Sequence, residues 1–289
     1  RKVFPDYVFG YNFAECRFTT RLEETPREAL ELCKDGGHIM DEYARVPCGS
    51  GSHPWATWSD QAAGLVKEAI SVRRLGGHLF PMINHEPTIN RYQVLFALAA
   101  GAHPNLDPRP AQVEATPYLR FATRYAGLLW DKKMEYVWHP AGLVIAPPSV
   151  MWEDYVREIP IDDTHKRLIV HLINPPAQAS AFDASLLEKE RHRRQERRTA
   201  IKAKADAATT KPDYAELDKL PPLKFWPDPQ TEIDIKVVPQ ALGREWQLDK
   251  VLVLDPETTT HRELPVDRTD PYFWRFTVPE VTFWSVVVV

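Results

Sequence analysis

The sequence lacks the features that mark several common classes of protein. Only three of its 289 residues are cysteine, Cys16, Cys33 and Cys48, and their spacing fits no zinc-binding pattern. Free thiols, or one disulfide with one thiol left over, both remain open from the residues alone. No apolar run reaches about 18 residues, so the sequence predicts no membrane-spanning helix. The compartment stays undetermined, with a secreted or periplasmic location as one candidate.

Motifs of several well-known catalytic sites are missing as well. The sequence contains no Gly-x-Ser-x-Gly nucleophile elbow, no Walker A loop and no His-Glu-x-x-His metal motif. The glycine pairs Gly36–Gly37 and Gly76–Gly77 end predicted helices, so we interpret them as helix stops and not as phosphate-binding loops. We therefore predict neither a cofactor nor a metal.

A basic charge balance is also missing. The formal net charge is -4 and the isoelectric point is near 6.2, which argues against a general nucleic-acid-binding protein. The chain is instead rich in aromatic residues and proline, with 9 Trp, 10 Tyr, 12 Phe and 26 Pro. Large aromatic side chains stabilise cores and also stack on sugar rings, so their abundance is compatible with a carbohydrate ligand.

Three short apolar runs in the first third of the chain end in polar residues. They are 7–13, 36–42 and 76–86, and they begin about 30 to 40 residues apart, which is the length of one βα unit. Helical patterns over 25–34 and 60–75 separate them. In a (β/α) barrel the catalytic groups lie at the carboxyl ends of the strands, so polar residues at these positions become candidates.

Paired carboxylates at such a position suit glycoside hydrolysis. One acid protonates the leaving oxygen, while the other attacks the sugar or activates water. Asp41 and Glu42 are the strongest candidates; adjacent strand residues point to opposite faces, and we favour Asp41 as nucleophile or base. Glu15, just past the first run, is the third catalytic candidate. A salt bridge or helix cap for the first two, and a surface carboxylate for Glu15, are the alternatives.

Candidates for substrate binding lie close to these acids in the sequence. They are Asn12, Trp55, Trp58, Asn84, His85 and Glu86. The polar groups among them could hydrogen-bond sugar hydroxyls, and the two indoles could stack on sugar faces. Turn formation by the polar residues, and anchoring of a loop by the indoles, explain the same pattern without a ligand.

From about Met134 the pattern changes to short strands between turns. Predicted strands cover 167–174, 232–238, 250–254, 272–278 and 282–289, a spacing typical of a β-sandwich. The last four residues are valines, and we expect them to be paired inside a sheet because an exposed apolar edge would aggregate. Residues 183–208 mix acids and bases and predict a long solvated helix, with a helix that binds RNA or a partner as the alternative.

These pieces together resemble the C-terminal half of a glycoside hydrolase. The resemblance rests on Gly37–Glu42, Ala99–His103, Tyr118–Asp131 and Arg167–Asn174. Their order is similar to that in dextranase- and β-galactosidase-type enzymes, in which a β-sandwich follows a (β/α)8 TIM barrel. The resemblance implies that residues 1–133 form the last βα units of a barrel, and that residues 134–289 form a β-sandwich domain with a helical insertion at 183–208.

The resemblance also implies where the catalytic acids would lie. Many retaining barrel glycosidases place the nucleophile after the seventh strand and the acid after the fourth. The seventh strand would be the one that ends at Asp41 and Glu42, so the acid would lie outside these 289 residues. We therefore expect an upstream segment or a partner chain to complete the barrel.

Three functions are compatible with the sequence. The first is a glycoside hydrolase or transglycosidase fragment that acts on an oligosaccharide or polysaccharide. The second is a non-catalytic relative that binds glycans or has a structural role. The third is an assembly subunit, for example in a homo-oligomer, whose charged helix at 183–208 docks a neighbour.

Overall fold

The computed structural model describes residues 10–13, 31, 33–34, 36–41, 58–83, 87–105, 115–175, 184–214, 227–242 and 246–289. Within these residues the strands form three sheets, one parallel sheet of three strands and two antiparallel sheets of six and three strands. Among the described helices, none is long and apolar enough to cross a membrane.

The parallel sheet contains the three runs predicted near the N-terminus. Its strands are β1 (Gly10–Phe13), β2 (His38–Asp41) and β3 (His78–Pro81), in the order β1-β2-β3. Helix α1 (Trp58–Arg74) connects β2 to β3, and helix α2 (Pro87–Ala99) follows β3. Two parallel strands joined by a helix form a βα unit, so the spacing of the runs predicted this connectivity correctly.

The predicted (β/α)8 barrel is wrong. In the part of the chain that the structure describes, β1 to β3 form a three-stranded sheet that does not close on itself, and most strands lie in antiparallel sheets. A barrel of this kind requires eight parallel strands. The βα spacing is common to open sheets and closed barrels, because it reports only which elements follow one another. Closure depends on strand pairing between distant segments, which local spacing does not specify.

Among the described residues, the second half of the chain forms nine strands. They are β4 (Glu135–Tyr136), β5 (Val144–Ile145), β6 (Val156–Pro160), β7 (Lys166–Ile173), β8 (Gln230–Val237), β9 (Val251–Asp255), β10 (Thr260–Leu264), β11 (Trp274–Val281) and β12 (Trp284–Val288). The large sheet has the order β10-β9-β12-β7-β6-β4, and the small sheet has the order β11-β8-β5. Strand β12 carries the valine run, and it lies between β7 and β9 with all five residues buried. The prediction that this strand is paired inside a sheet is confirmed.

The large sheet is the central layer, and it has a hydrophobic core on each face. On one face, Val170 of β7 packs in a core with Ile235 and Val278 of the small sheet. On the other face, Ile169 of β7 belongs to a core that includes Phe96 of α2. Successive strand residues point to opposite faces, so a strand buried on both faces has a nearly continuous apolar sequence. This explains the run of hydrophobic residues in β7.

The aromatic segment of residues 118–130 forms two helices. Helix α3 (Thr116–Arg124) ends at Tyr125, whose backbone angles of φ -114° and ψ 31° are not helical. Helix α4 (Ala126–Leu129) starts directly after it. Tyr125 packs on Phe121 with ring centroids 4.9 Å apart. The helical backbone is therefore interrupted at Tyr125.

The charged segment forms helix α5 (Ala184–Ala207), which connects β7 of the large sheet to β8 of the small sheet. The predicted insertion into a β-sandwich at 183–208 is corrected accordingly, because this helix is the connection between two layers and does not interrupt either sheet. Ile201 and Ala205 are buried. They lie four residues apart, so one stripe of the helix meets the rest of the protein.

Candidate functional site

The carboxyl ends of the parallel strands are level with one another. Phe13, Asp41 and Pro81 occupy the same row of the strand register. Asn105 extends the sheet beyond β3, because its backbone N–H donates to the carbonyl of Pro81 at 2.9 Å. Asp41 is thus the last residue of the central strand, at the edge of the sheet where parallel α/β proteins bind ligands.

The structure describes a minority of the predicted site residues. Asp41 lies in β2, Asn12 lies in β1 opposite Met40, and Trp58 is the first residue of α1. The remaining predicted site residues lie outside the described residues: Glu15, Glu42, Trp55, Asn84, His85 and Glu86. The catalytic and binding roles of all nine stay predictions.

A repeated Gly-x-His motif organises the opposite, amino-terminal edge of the sheet. It occurs as Gly36-Gly37-His38, Gly76-Gly77-His78 and Gly101-Ala102-His103. The first glycine of each copy has a positive φ, of 70°, 87° and 78° respectively. After α1 and α2 this glycine and the next residue hydrogen-bond back to the last helical turn, as in a Schellman helix cap. Each copy therefore ends a helix and starts an extended segment with a histidine.

The repeat brings three imidazoles together. His38 and His78 are register partners on adjacent strands, with ring centroids 5.8 Å apart. The backbone N–H of His103 donates to the carbonyl of Leu79, and its ring lies 5.3 Å from that of His78. Trp130, which follows α4, stacks on the ring of His103 with ring centroids 4.5 Å apart. The rings form a row across the sheet, which we call the histidine row (His38, His78 and His103).

The histidine row lies on the face of the sheet that points away from α1. Ile39 and Leu79 alternate with the histidines along β2 and β3, and they are buried in one core with Val66 of α1. His38 is held within its strand by an edge-on contact with Phe80, with ring centroids 4.8 Å apart. His38 is therefore a packed histidine within its strand.

A cavity of about 220 Å³ opens beside two of these histidines, at the amino end of β3. Its lining includes Arg73 from the last turn of α1, His78, His103, Trp130 and Lys132. No carboxylate is among the residues that line the cavity in the described structure. The cavity therefore combines two permanent positive charges, two imidazoles and an indole.

The electrostatics of the cavity favour the neutral form of both imidazoles. Burial, together with the positive charges of His78, His38 and Arg73, lowers the pKa of His103 to about 4. Burial also lowers the pKa of His78, together with the charges of His38, Arg73 and Lys132. Neutral imidazole has one donor and one acceptor nitrogen, so these rings can hydrogen-bond a ligand in either sense.

The backbone conformation and the close packing at position 101 require glycine. Its φ is +78°, and a Cβ atom at this position would lie 2.9 Å from the Oη of Tyr136, which donates to the carbonyl of Ala100 at 2.8 Å. We expect Gly101→Ala to lower the free energy of unfolding by about 1–3 kcal/mol, through backbone strain and this contact. Urea unfolding followed by circular dichroism measures the change.

Gly127 of α4 provides the matched control for that substitution. Nothing lies within 4 Å of a Cβ atom built there. Because alanine is favoured over glycine in helices by about 1 kcal/mol, Gly127→Ala should leave stability unchanged or raise it. Equal losses in both variants would show that the Gly101 conformation is not special.

A second, partly buried polar group joins the helices to the large sheet, and the sequence patterns did not single it out. The hydroxyl of Tyr118 in α3 donates to the carboxylate of Glu257, which lies between β9 and β10. Arg91 of α2 lies 3.8 Å from the same carboxylate. Burial raises the pKa of Glu257, partly offset by the hydrogen bond from Tyr118 and the charge of Arg91. The carboxylate of Glu257 therefore has a hydrogen-bond donor and a positive charge beside it, and we assign the three side chains a structural role.

Comparison with known proteins identifies no family for this chain. No protein-family description matches it, and no curated protein matches it. A solved structure from Paenibacillus sp., a cycloisomaltooligosaccharide glucanotransferase complexed with cycloisomaltoheptaose, is similar to it with a TM-score of 0.43 and 16% sequence identity. The similarity covers 71% of this chain and 27% of the glucanotransferase chain, so the present chain spans about a quarter of that protein.

Proposed function

We propose that the chain is part of a glycoside hydrolase or transglycosidase that acts on an oligosaccharide or polysaccharide. The observation that carries the proposal is the position of Asp41. It ends the central strand of a parallel sheet, level with the ends of both neighbouring strands. Ligand sites of parallel α/β sheets lie at this edge, where residues from several strands converge.

In this proposal the chemistry depends on a pair of carboxyl groups. Asp41 or Glu42 serves as nucleophile or base, and Glu15 is the candidate for the second acid. The two roles need one ionised and one protonated carboxyl group in the same site. Asn12, Trp55, Trp58, Asn84, His85 and Glu86 are the proposed sugar contacts. They precede or follow the carboxyl ends of the same strands in the sequence.

The proposal assigns different roles to the two parts of the chain. Residues 1–133 would carry the site, and residues 134–289 would support it. The support has a physical basis, because Phe96 of α2 and Phe121 of α3 share one core with Trp284 of the large sheet. Substitutions in that shared core should therefore weaken both stability and activity.

Substitution of the two adjacent acids tests the proposal. We expect Asp41→Asn to lower kcat/KM for glycoside cleavage by about 10²- to 10⁴-fold, because removing a catalytic carboxylate has an effect of this size. Glu42→Gln, measured in parallel, shows which of the two acids carries the role. Cleavage is followed as reducing-end release from a panel of α- and β-linked oligosaccharides, with folding checked by circular dichroism.

Asp206→Asn, at an exposed position of α5, provides the control and should leave cleavage unchanged. Unchanged cleavage in both Asp41→Asn and Glu42→Gln would remove these acids from the mechanism. Sugar binding without any cleavage by the natural protein would instead identify a non-catalytic glycan-binding protein.

A further inference from the structure

The cavity at the amino end of β3 lies at the opposite edge of the sheet from Asp41, and the proposed hydrolysis does not use it. We propose that this cavity binds a small oxyanion of the phosphate class, held by Arg73 and Lys132 with His78 and His103 as hydrogen-bond partners. The ligand would be inorganic phosphate or the phosphoryl group of a monoester. This site is independent of the glycosidase proposal.

The first argument is uncompensated positive charge. Arg73 donates an Nη2–H to the backbone carbonyl of Asp131, so this contact orients the guanidinium group without neutralising it. Lys132 lines the same cavity. Neither cation forms an ion pair with a carboxylate among the described residues, whereas Arg91 and Lys166 elsewhere do. Two like charges that share one cavity repel each other, and a dianion between them would turn this repulsion into attraction.

The second argument is the supply of hydrogen-bond donors in a partly enclosed space. His103 and His78 line the cavity from adjacent extended segments, and burial and nearby cations lower the pKa of both. A bound anion would favour their protonated forms, and each protonated ring would add a charged donor. The pKa values of these two histidines are lowered in the cavity, and a bound anion would raise them again. This behaviour is expected of histidines in an anion site.

The third argument concerns size. A volume of about 220 Å³ is below the range of about 300–1,000 Å³ that is usual for drug-sized ligands. The cavity therefore fits a compact group. Phosphate presents several oxygen acceptors, and the cavity wall offers donors from separate elements: Arg73 of α1, His78 of β3, His103 after α2, and Lys132 after α4.

The dipoles of two helices oppose anion binding, so their size has to be compared with the charges of Arg73 and Lys132. Helices α1 and α2 both end next to the cavity, at Arg74 and Ala99. A helix C-terminus carries roughly half a negative charge. Two such ends sum to about one negative charge, against two full positive charges on Arg73 and Lys132. The helix-end carbonyls are moreover capped by the Gly-x-His turns. The net potential in the cavity therefore remains positive.

Neighbouring residues of the same type supply matched variants for the test. Lys132 lines the cavity and Lys133 does not, and Arg73 lines it whereas Arg74 packs on the exposed ring of Trp138. We expect the natural protein to bind inorganic phosphate in isothermal titration calorimetry. Lys132→Ala should weaken this binding by about tenfold, whereas Lys133→Ala should leave it within about twofold.

Arg73→Lys and Arg74→Lys form the second pair. Lysine keeps the charge but loses the forked donor geometry, so only the first substitution should weaken binding, and both variants should fold. A hexose phosphate titrated in parallel identifies the source of the phosphoryl group: tighter binding than that of phosphate indicates a monoester, and equal binding indicates the free ion.

Nuclear magnetic resonance of the histidine rings gives an independent readout. Phosphate should raise the pKa of His103 and His78, and the rise should be lost in Lys132→Ala. No phosphate binding by the natural protein, equal weakening by Lys132→Ala and Lys133→Ala, or histidine pKa values that do not respond to phosphate would each overturn the proposal.

Discussion

Replacement of Trp284 by alanine is expected to lower the free energy of unfolding by about 3–5 kcal/mol, the usual range for removal of a large buried aromatic side chain. Trp284 is 1% exposed and lies where the large sheet meets the helices. Its ring packs edge-on against Phe121 with ring centroids 5.2 Å apart, and it stacks on His171 at 5.6 Å. Its Nε1–H donates to the Nδ1 of His171 at 3.2 Å.

The loss has two sources, which two variants separate. Trp284→Ala leaves a cavity and a buried His171 nitrogen without its donor, whereas Trp284→Phe keeps most of the packing and loses mainly the hydrogen bond. We expect the second variant to cost about 1–3 kcal/mol. Trp138→Ala, at a tryptophan that is 59% exposed, is the control. Urea unfolding of the three variants would contradict this account if Trp284→Ala cost no more than Trp138→Ala.

Acidification is expected to destabilise the protein through His171. This histidine is fully buried in β7, and burial, assisted by the charge of Arg157, holds its pKa well below the usual range. Its Nδ1 accepts a hydrogen bond from the Nε1–H of Trp284, and the guanidinium group of Arg157 lies 3.2 Å from its Nε2. A second ring proton would therefore face a donor instead of an acceptor.

The sign of the effect follows from proton linkage. Above a pH of about 6.5 the ring is neutral in both the folded and the unfolded chain, so the full stability is present. As the pH falls below this value, the unfolded chain binds a proton that the folded chain does not. Each pH unit then costs about 1.4 kcal/mol for this group. His78 and His103 act in the same direction, because their pKa values are also lowered.

Urea unfolding at pH 7 and pH 5 measures this dependence. His171→Gln should lower stability at pH 7, but it should reduce the difference between the two pH values by about 2 kcal/mol. His139→Gln, at an exposed position, should leave the difference unchanged. If His171→Gln keeps the full difference, then His171 is not responsible for the acid sensitivity.

Strands of the second half of the chain were predictable because burial on both faces leaves a strong apolar signal. Strand β7 lies within one residue of its predicted position, and β12 within two. Strand β10 is absent from the predicted strands for the opposite reason: four of its five residues are exposed, so it lacks an apolar pattern. The break at Tyr125 has no clear marker in the sequence, because the nearest glycine, Gly127, lies inside α4.

The cavity was less accessible to prediction, because its residues come from four separate segments. One signal was nevertheless present in the sequence. The Gly-x-His copies at 36–38, 76–78 and 101–103 each follow a helical pattern. When neighbouring parallel strands start with the same motif, the corresponding residues of the motif lie side by side. The histidine row could have been predicted from this repeat. Arg73 and Lys132 could not, since their approach depends on the packing of α1 against the segment after α4.

The two edges of the parallel sheet therefore have different proposed ligands, a sugar at the carboxyl edge and an oxyanion at the amino edge. Titration of isotope-labelled protein with an oligosaccharide and with phosphate, followed by amide resonances, tests this most directly. The oligosaccharide should shift resonances around Asn12, Asp41 and Asn84, and phosphate should shift those around His78 and Lys132. Oligosaccharide shifts that cluster away from the carboxyl edge, or both ligands shifting one common set, would contradict the account.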